Sequence, residues 1–187
     1  SYTVKSSFGH IRDLAKKNLG INVDDGFAPQ YIVPADKKKI VKELKDLAKK
    51  SKTVWLATDE DREGEAIAWH TADVLKKKGR NFYRVLFHEL TKDSVRKAIM
   101  SPEVLDRSKY EAQQARRILD RLVGYQVSPL LWRKVKGGLS AGRVQSVAVR
   151  IICERERAIQ AFVSEEYWSI SAHLESSAPP PFVAKLV

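Results

Sequence analysis

Among 187 residues there is one cysteine, Cys153, and one methionine. A lone cysteine closes no internal disulfide and builds no cysteine-based zinc site. No apolar run reaches transmembrane length, and no stretch reads as a signal peptide. The four histidines (His10, His70, His88, His173) show no metal-ligand spacing with one another. There is no Walker-type P-loop pattern, no internal repeat, and no low-complexity segment beyond a short proline run near the C-terminal end. None of the six tyrosines has an obvious paired base, so none reads as an activated nucleophile. Acid is also scarce: Lys+Arg against Asp+Glu is 34 − 23 = +11. That excess favours a polyanionic partner, nucleic acid before an anionic membrane surface, although ribosomal and histone-like proteins share such a charge.

What is present is enough for a folded protein. Hydrophobic residues make up 43%, which supports a packed core, and the length allows one large domain or two small ones. The chain starts abruptly in an extended run and stops inside what reads as a new strand, so a piece of a longer polypeptide is expected.

Residues 2–6 read as a strand, and 9–30 as loop-rich because of Gly9, Gly20, Gly26 and Pro29. Ile40, Val41, Leu44, Leu47 and Ala48 predict a helix over 36–50, with lysines as its solvated face. "TVWLA" (53–57) predicts a strand, 63–77 a helix, "YRVLFH" (83–88) a strand, and Thr91 the cap of a helix to about 100. This βαβα order implies an α/β domain with a parallel sheet covered by helices. From about 106 the pattern is helical. Ala115, Ile118, Leu119, Leu122 and Val123 mark one buried stripe. Val144, Val147, Ala148, Ile151, Ile152, Ile159 and Phe162 mark a second, with Cys153 as packing. "YWSISAHLE" from Tyr167 alternates like a strand.

Against this basic background, "DEDREGE" sets Asp59, Glu60, Asp61, Glu63 and Glu65 together just after a predicted buried strand. Ligands bind outside the carboxyl ends of strands in open parallel sheets. Asp59, Asp61 and Glu63 alternate, and hard oxygen donors so spaced suit Mg²⁺. An EF-hand fits poorly, because the twelfth position is His70 and a strand precedes the loop. Helix capping, or a salt-bridge cluster on Arg62 and its neighbours, stands as the alternative. Trp55 and Trp69 flank the acids and read as core.

Arg117, Arg121 and Tyr125 fall at i, i+4, i+8 and share a helix face, with Asp120 placed to hold one guanidinium. Arginines grip phosphates and a tyrosine ring stacks a base, so the face suits single-stranded nucleic acid; an exposed face with a packed Tyr is the plainer reading. In "GGLSAGRVQS", Ser140 is placed to cap a helix whose first turn carries Arg143 and Gln145, a potential phosphate site. His10 lies beside Arg12 and Asp13 in a second candidate loop.

Taken together, four stretches resemble the type IA DNA topoisomerases, most closely the bacterial topoisomerase I branch. They are "VKSSFGHIRDL", "ATDEDREGEAIAWH", "AQQARRILDRLVGYQVSPLLWRK" and "LSAGRVQSVAVRIICERE", in that order and over nearly the whole chain. The resemblance implies a TOPRIM (Rossmann-like) domain over 1–105 lacking its first strand, a helical single-strand-DNA-binding domain over 106–163, and the start of a β gate domain over 164–187. It implies relaxation of negatively supercoiled DNA by transient single-strand cleavage through a tyrosine, with Mg²⁺ and without ATP. Asp59, Asp61 and Glu63 match the family's metal-binding acids, and Arg62 an arginine near the scissile phosphate. His10 matches the histidine of the early motif. Arg117, Asp120, Arg121 and Tyr125 match residues of the single-strand groove and an upstream base pocket, and Arg143 and Gln145 match strand contacts. The family's first strand, with a Glu and then a Lys, is expected before Ser1, and the nucleophilic tyrosine after Val187. A cytoplasmic, nucleoid-associated bacterial monomer is implied. A non-catalytic TOPRIM-type nucleic-acid-binding module, or a TOPRIM primase or nuclease, is the other reading.

Overall fold

The computed structural model describes residues 2–175 and 180–186. The chain divides into two compact units, Ser1–Arg143 and Val144–Val187. The expected strand at 2–6 does not form. Instead, four two-residue strands form in and just after the stretch read as loop: β1 (Asp13–Leu14), β2 (Ile21–Asn22), β3 (Ala28–Pro29) and β4 (Tyr31–Ile32). β1 pairs antiparallel with β4, and β2 with β3. Two-residue strands are too short to display a period of two, which is why no alternation reveals them. They nevertheless anchor the segment, since Ile11 and Leu14 are fully buried. Each such side chain contributes about 1.5–3 kcal/mol on removal from water.

α1 (Lys38–Lys49) follows, buried through Val41 and Ala48. β5 (Thr53–Leu56), α2 (Arg62–Leu75) and β6 (Asn81–Arg84) form a βαβ unit, with β5 and β6 parallel from Thr53↔Asn81 to Leu56↔Arg84. The second strand thus starts earlier than "YRVLFH" suggests and its pairing stops at Arg84; Val85 adds one backbone bond to Leu56 O at 3.0 Å. Trp55 and Trp69 are half-buried rather than core. Each packs on a tyrosine, Trp55 on Tyr83 at 5.2 Å and Trp69 on Tyr110 at 4.7 Å between ring centroids. α3 (Lys92–Met100) begins as its cap predicts, with Thr91 Oγ1 accepting from Ser94 N at 3.3 Å.

α4 (Arg107–Lys134) runs for 28 residues, with Pro129 inside it, and packs against α2. Its buried residues are Gln113, Arg121 and Ser128, while Leu119 is 46% exposed. The most deeply buried positions are therefore polar, whereas of the Ala115, Ile118, Leu119, Leu122, Val123 stripe Ala115 and Leu119 are exposed and the other three only half-buried. Apolar periodicity misleads here because this helix satisfies its inner face with hydrogen bonds and ion pairs. α5 (Arg143–Gln160) opens three residues after Ser140, which is not its cap. In the second unit, Val144, Val147, Ile151, Ile152, Ile159 and Phe162 are all exposed, as is Cys153. Periodicity reports what a helix is able to bury; no described element of the second unit shields that stripe. β7 (Ser171–Leu174) and β8 (Phe182–Lys185) close the unit as an antiparallel pair.

Candidate nucleic-acid interface

The five acids after β5 have five different fates. Asp61 caps α2, its Oδ1 accepting from Gly64 N at 2.7 Å, an interaction of about 1 kcal/mol. Glu60 turns to His88, Nδ1 to Oε2 at 2.9 Å. Glu63 Oε2 lies 3.2 Å from His10 Nε2 and accepts from Gln113 Nε2, also at 3.2 Å. Asp59 is exposed, and its carboxylate has no cationic partner among the described residues. Glu65, by contrast, is buried and belongs to the scaffold.

That scaffold centres on Arg84, which is 1% exposed. Its Nε donates to Glu65 Oε2 at 2.8 Å. Its Nη1 reaches the carbonyls of Leu56 (2.9 Å) and Thr58 (2.8 Å), and its Nη2 the carbonyl of Asp59. One guanidinium thereby fixes the backbone on which the exposed acids ride. The other oxygen of Glu65 accepts from Asp106 N at 2.7 Å, and Asp106 in turn caps α4 at Lys109 N, 3.1 Å. Loop and α4 thus hang from one buried ion pair. Arg84 escapes the reading that seeks the acids' partner in Arg62 and its neighbours. The signal lies in "YRVLFH", where a charge interrupts an apolar strand. Arg62 itself is exposed and has no ion pair among the described residues.

Opposite the loop stands α4. Arg117 grips Asp13 with both oxygens, Nη2 to Oδ1 at 2.6 Å and to Oδ2 at 2.8 Å. Burial raises the Asp13 pKa, yet the Arg117 hydrogen bond, the Leu14 N–H and the charges of Arg117 and Arg121 outweigh it and hold the carboxyl below its ordinary range. Arg121 donates to Tyr125 Oη at 2.5 Å and lies 4.7 Å from that ring's centroid; Tyr125 Oη donates on to Lys16 O at 3.1 Å. The shared face of Arg117, Arg121 and Tyr125 is therefore real. Asp120, however, holds neither neighbour. It pairs with Arg116 at 3.8 Å and Arg143 at 3.2 Å, because a side chain at i+3 from Arg117 points past the Asp13 clamp. Gln145 lies in the first turn of α5, in the second unit.

Between loop and helix is a cleft of about 360 Å³, with Glu63, His10, Gln113, Arg116, Arg117 and Asp120 along its walls. Phe8 and Gly9 both adopt positive φ (51° and 84°) just before His10. The Phe8 carbonyl accepts from Lys37 Nζ at 2.6 Å, which helps hold that turn. His70 and Tyr31 line the floor, 4.4 Å apart between ring centroids. Burial first, then the charges of Arg12 and His10, lower the His70 pKa to about 4; burial raises Tyr31 to about 12. Both rings are therefore neutral at pH 7. Arg116, whose side chain is 51% exposed, and the floor pair His70 and Tyr31 were not singled out by spacing.

Asp59, Asp61 and Glu63 offer hard oxygen donors fitting a divalent cation, since no lysine or arginine neutralises them among the described residues. In the structure they are not drawn together: no group of three His, Cys, Asp or Glu among the described residues is arranged to hold a metal. Among those residues, no helix is long and apolar enough to cross a membrane.

Two family models match the chain: the Toprim domain over residues 1–90 and the DNA topoisomerase family over residues 104–183. The fold is similar to the solved structure of full-length topoisomerase I from Thermotoga maritima, at 46% identity and a TM-score of 0.75. The match covers 92% of this chain and 28% of that one. With both family models matching in this order along the chain and 46% identity to that topoisomerase I, the chain belongs to the type IA DNA topoisomerases, most like bacterial topoisomerase I.

Proposed function

We propose that this chain supplies the Toprim and single-strand-binding parts of an enzyme that relaxes negatively supercoiled DNA by transient cleavage of one strand. The observation that carries the reading is the shared cleft: Glu63 of the acid loop faces the arginines of α4 across about 360 Å³, and Asp59 of the same loop has no cationic partner among the described residues. The excess positive charge draws DNA in. Arg116 and Arg143, side chains 51% and 45% exposed, meet the phosphates. Tyr125, 44% exposed and held by Arg121, presents a ring for a base to stack on. Arg117, through its Asp13 clamp, sets the wall of the groove; Gln145, in the second unit, would make a strand contact of its own. His10, on the cleft wall beside Glu63, and the exposed Arg62 at the start of α2 would attend the scissile phosphate.

Asp59, Asp61 and Glu63 would hold Mg²⁺, which supplies the positive charge that turns this acid patch into a phosphate site. No ATP is used, and none of the chain's tyrosines takes the nucleophile's role. The division into a TOPRIM part to residue 105, a helical part over 106–163 and the opening of a β gate over 164–187 belongs to the same reading. So does action as a monomer on the nucleoid in the bacterial cytoplasm.

Titration of a fluorescent single strand against the chain, with and without Mg²⁺, tests the proposal. Arg121→Ala releases Tyr125 and weakens binding by about 1–3 kcal/mol, the worth of one stacked base. Arg116→Ala and Arg143→Ala each flatten the salt dependence by about 0.7 in log–log slope. Unchanged affinity in all three variants would remove DNA from the cleft.

A further inference from the structure

The acid loop and the cleft lie toward the carboxyl ends of β5 and β6. A different chemistry collects away from them. Lys38, Lys42, Lys45 and Lys49 recur at helical spacing along α1, and all four are exposed. With Val33, Val41 and Asp46 they line a groove of about 430 Å³. At its end α1 leads through Lys50 and Lys52 into β5, while Lys76, Lys77 and Lys78 follow directly on the end of α2. Arg80 ties the two helix ends together, donating to the carbonyls of Ala48 (2.5 Å) and Leu75. The lysines of both exits are thereby gathered where the parallel strands begin.

Helix electrostatics explain only part of this array. Lysines in a last turn complement the helix dipole, which covers Lys49. The first turn of α1 contains no acid and opens on Lys38 and Lys39, where the dipole disfavours cations. Lys38 with Lys42, and Lys45 with Lys49, are like-charge pairs four residues apart, which weaken a helix. Neutralisation inside the chain is slight. Asp46 alone lines the groove as an acid, bonded to Lys49 at 2.8 Å. The Lys49 hydrogen bond and charge, with Lys42 and Lys50 nearby, hold its carboxyl below the ordinary range. Lys38, Lys42, Lys45, Lys76, Lys77 and Lys78 have no ion pair among the described residues.

We propose that this lysine face is a second DNA surface, separate from the cleft, that grips the sugar–phosphate backbone of duplex DNA. The groove has no aromatic ring in its lining, and single-strand binders rely on rings on which bases stack. Lysines are point charges that position a backbone and read no base. The 12 residues of α1 span roughly 18 Å at the helical rise, about half a turn of duplex. A segment held here would be one that the cleft does not hold.

The test compares a 20-base-pair duplex and a single strand of equal length, by fluorescence anisotropy across a salt series. Lys38→Gln/Lys42→Gln/Lys45→Gln is the first variant and Lys76→Gln/Lys77→Gln/Lys78→Gln the second; the latter leaves α1 intact, and circular dichroism checks the fold of both. Duplex binding should weaken at least tenfold in each, with the log–log salt slope falling by about 0.9 per lost phosphate contact. Single-strand binding should change less than twofold. An equal loss for strand and duplex overturns the proposal, because the lysines then act only through net charge. So does an unchanged duplex affinity, or a loss confined to vesicles of phosphatidylserine. Arg121→Ala serves as the separating control: its failure to weaken strand binding counts against the cleft and leaves the lysine face standing.

Discussion

Adding one methyl group at Gly64 tests the acid loop most directly. A Cβ built there meets Asp59 O at 2.0 Å, Asp59 C at 2.6 Å and Asp59 N at 2.8 Å, all backbone atoms. Relief needs a displacement of about 1 Å, and both partners are held. Gly64 O accepts from Thr58 Oγ1 at 2.6 Å, Gly64 N donates to Asp61 Oδ1 at 2.7 Å, and Arg84 Nη2 holds the Asp59 carbonyl. In an ordinary helix interior, Gly→Ala stabilises by about 0.5–1 kcal/mol. Here overpacking costs about 1–3 kcal/mol, and a lost cap adds about 1 kcal/mol. Gly64→Ala should therefore destabilise by about 1–3 kcal/mol net and displace Asp59 and Asp61. Urea unfolding followed by tryptophan fluorescence reads the stability, and Mn²⁺ titration by electron paramagnetic resonance reads the loop. Gly124→Ala, whose Cβ would meet only Ala141 O at 4.0 Å, is the control and should be neutral or stabilising. A Gly64→Ala protein as stable as the parent, with unchanged Mn²⁺ uptake, would refute the close packing described above.

Arg84→Met leaves Glu65 buried without its cationic partner and should cost about 3–5 kcal/mol in the same unfolding assay; Arg84→Met combined with Glu65→Leu should recover much of it. His70 has a folded pKa of about 4 against an ordinary 6.5, so the unfolded chain binds the extra proton between those values. Stability due to His70 is full above pH 6.5 and falls by about 3 kcal/mol as the pH drops to 4, at 1.36 kcal/mol per pH unit. His70→Phe should flatten that part of the profile. Asp13, whose pKa is depressed, contributes above the ordinary carboxylate range and loses its contribution as the pH falls through the folded value. Asp13→Asn should abolish that acid limb and loosen Arg117, seen as faster amide exchange in α4.

Long periodic elements were legible: α1, β5, α2 and the Thr91 cap lie within a few residues of where patterning and capping chemistry place them. The N-terminal segment was not, since two-residue strands carry no period. The inward face of α4 was misjudged for a related reason. Hydrophobic periodicity assumes that a buried face is apolar, whereas Gln113, Arg121 and Ser128 are buried by virtue of specific polar partners. Within the site, spacing along one helix correctly grouped Arg117, Arg121 and Tyr125. It offered no route to Asp13 or Lys16, because nothing in local sequence encodes a contact across a hundred residues. The Arg84–Glu65 pair shows the same limit: each residue is visible as an anomaly, but only the fold joins them.

The Asp13–Arg117 clamp links residues 104 apart, and the Tyr125–Lys16 bond residues 109 apart. At about 5–20 residues per second, a ribosome takes roughly 5–20 s to make that intervening stretch. Throughout that interval the early loop has been synthesised while its arginine-bearing partner has not. Completion of the groove is thus a late event in biosynthesis, and until then water alone satisfies the Asp13 carboxylate and the Lys16 carbonyl.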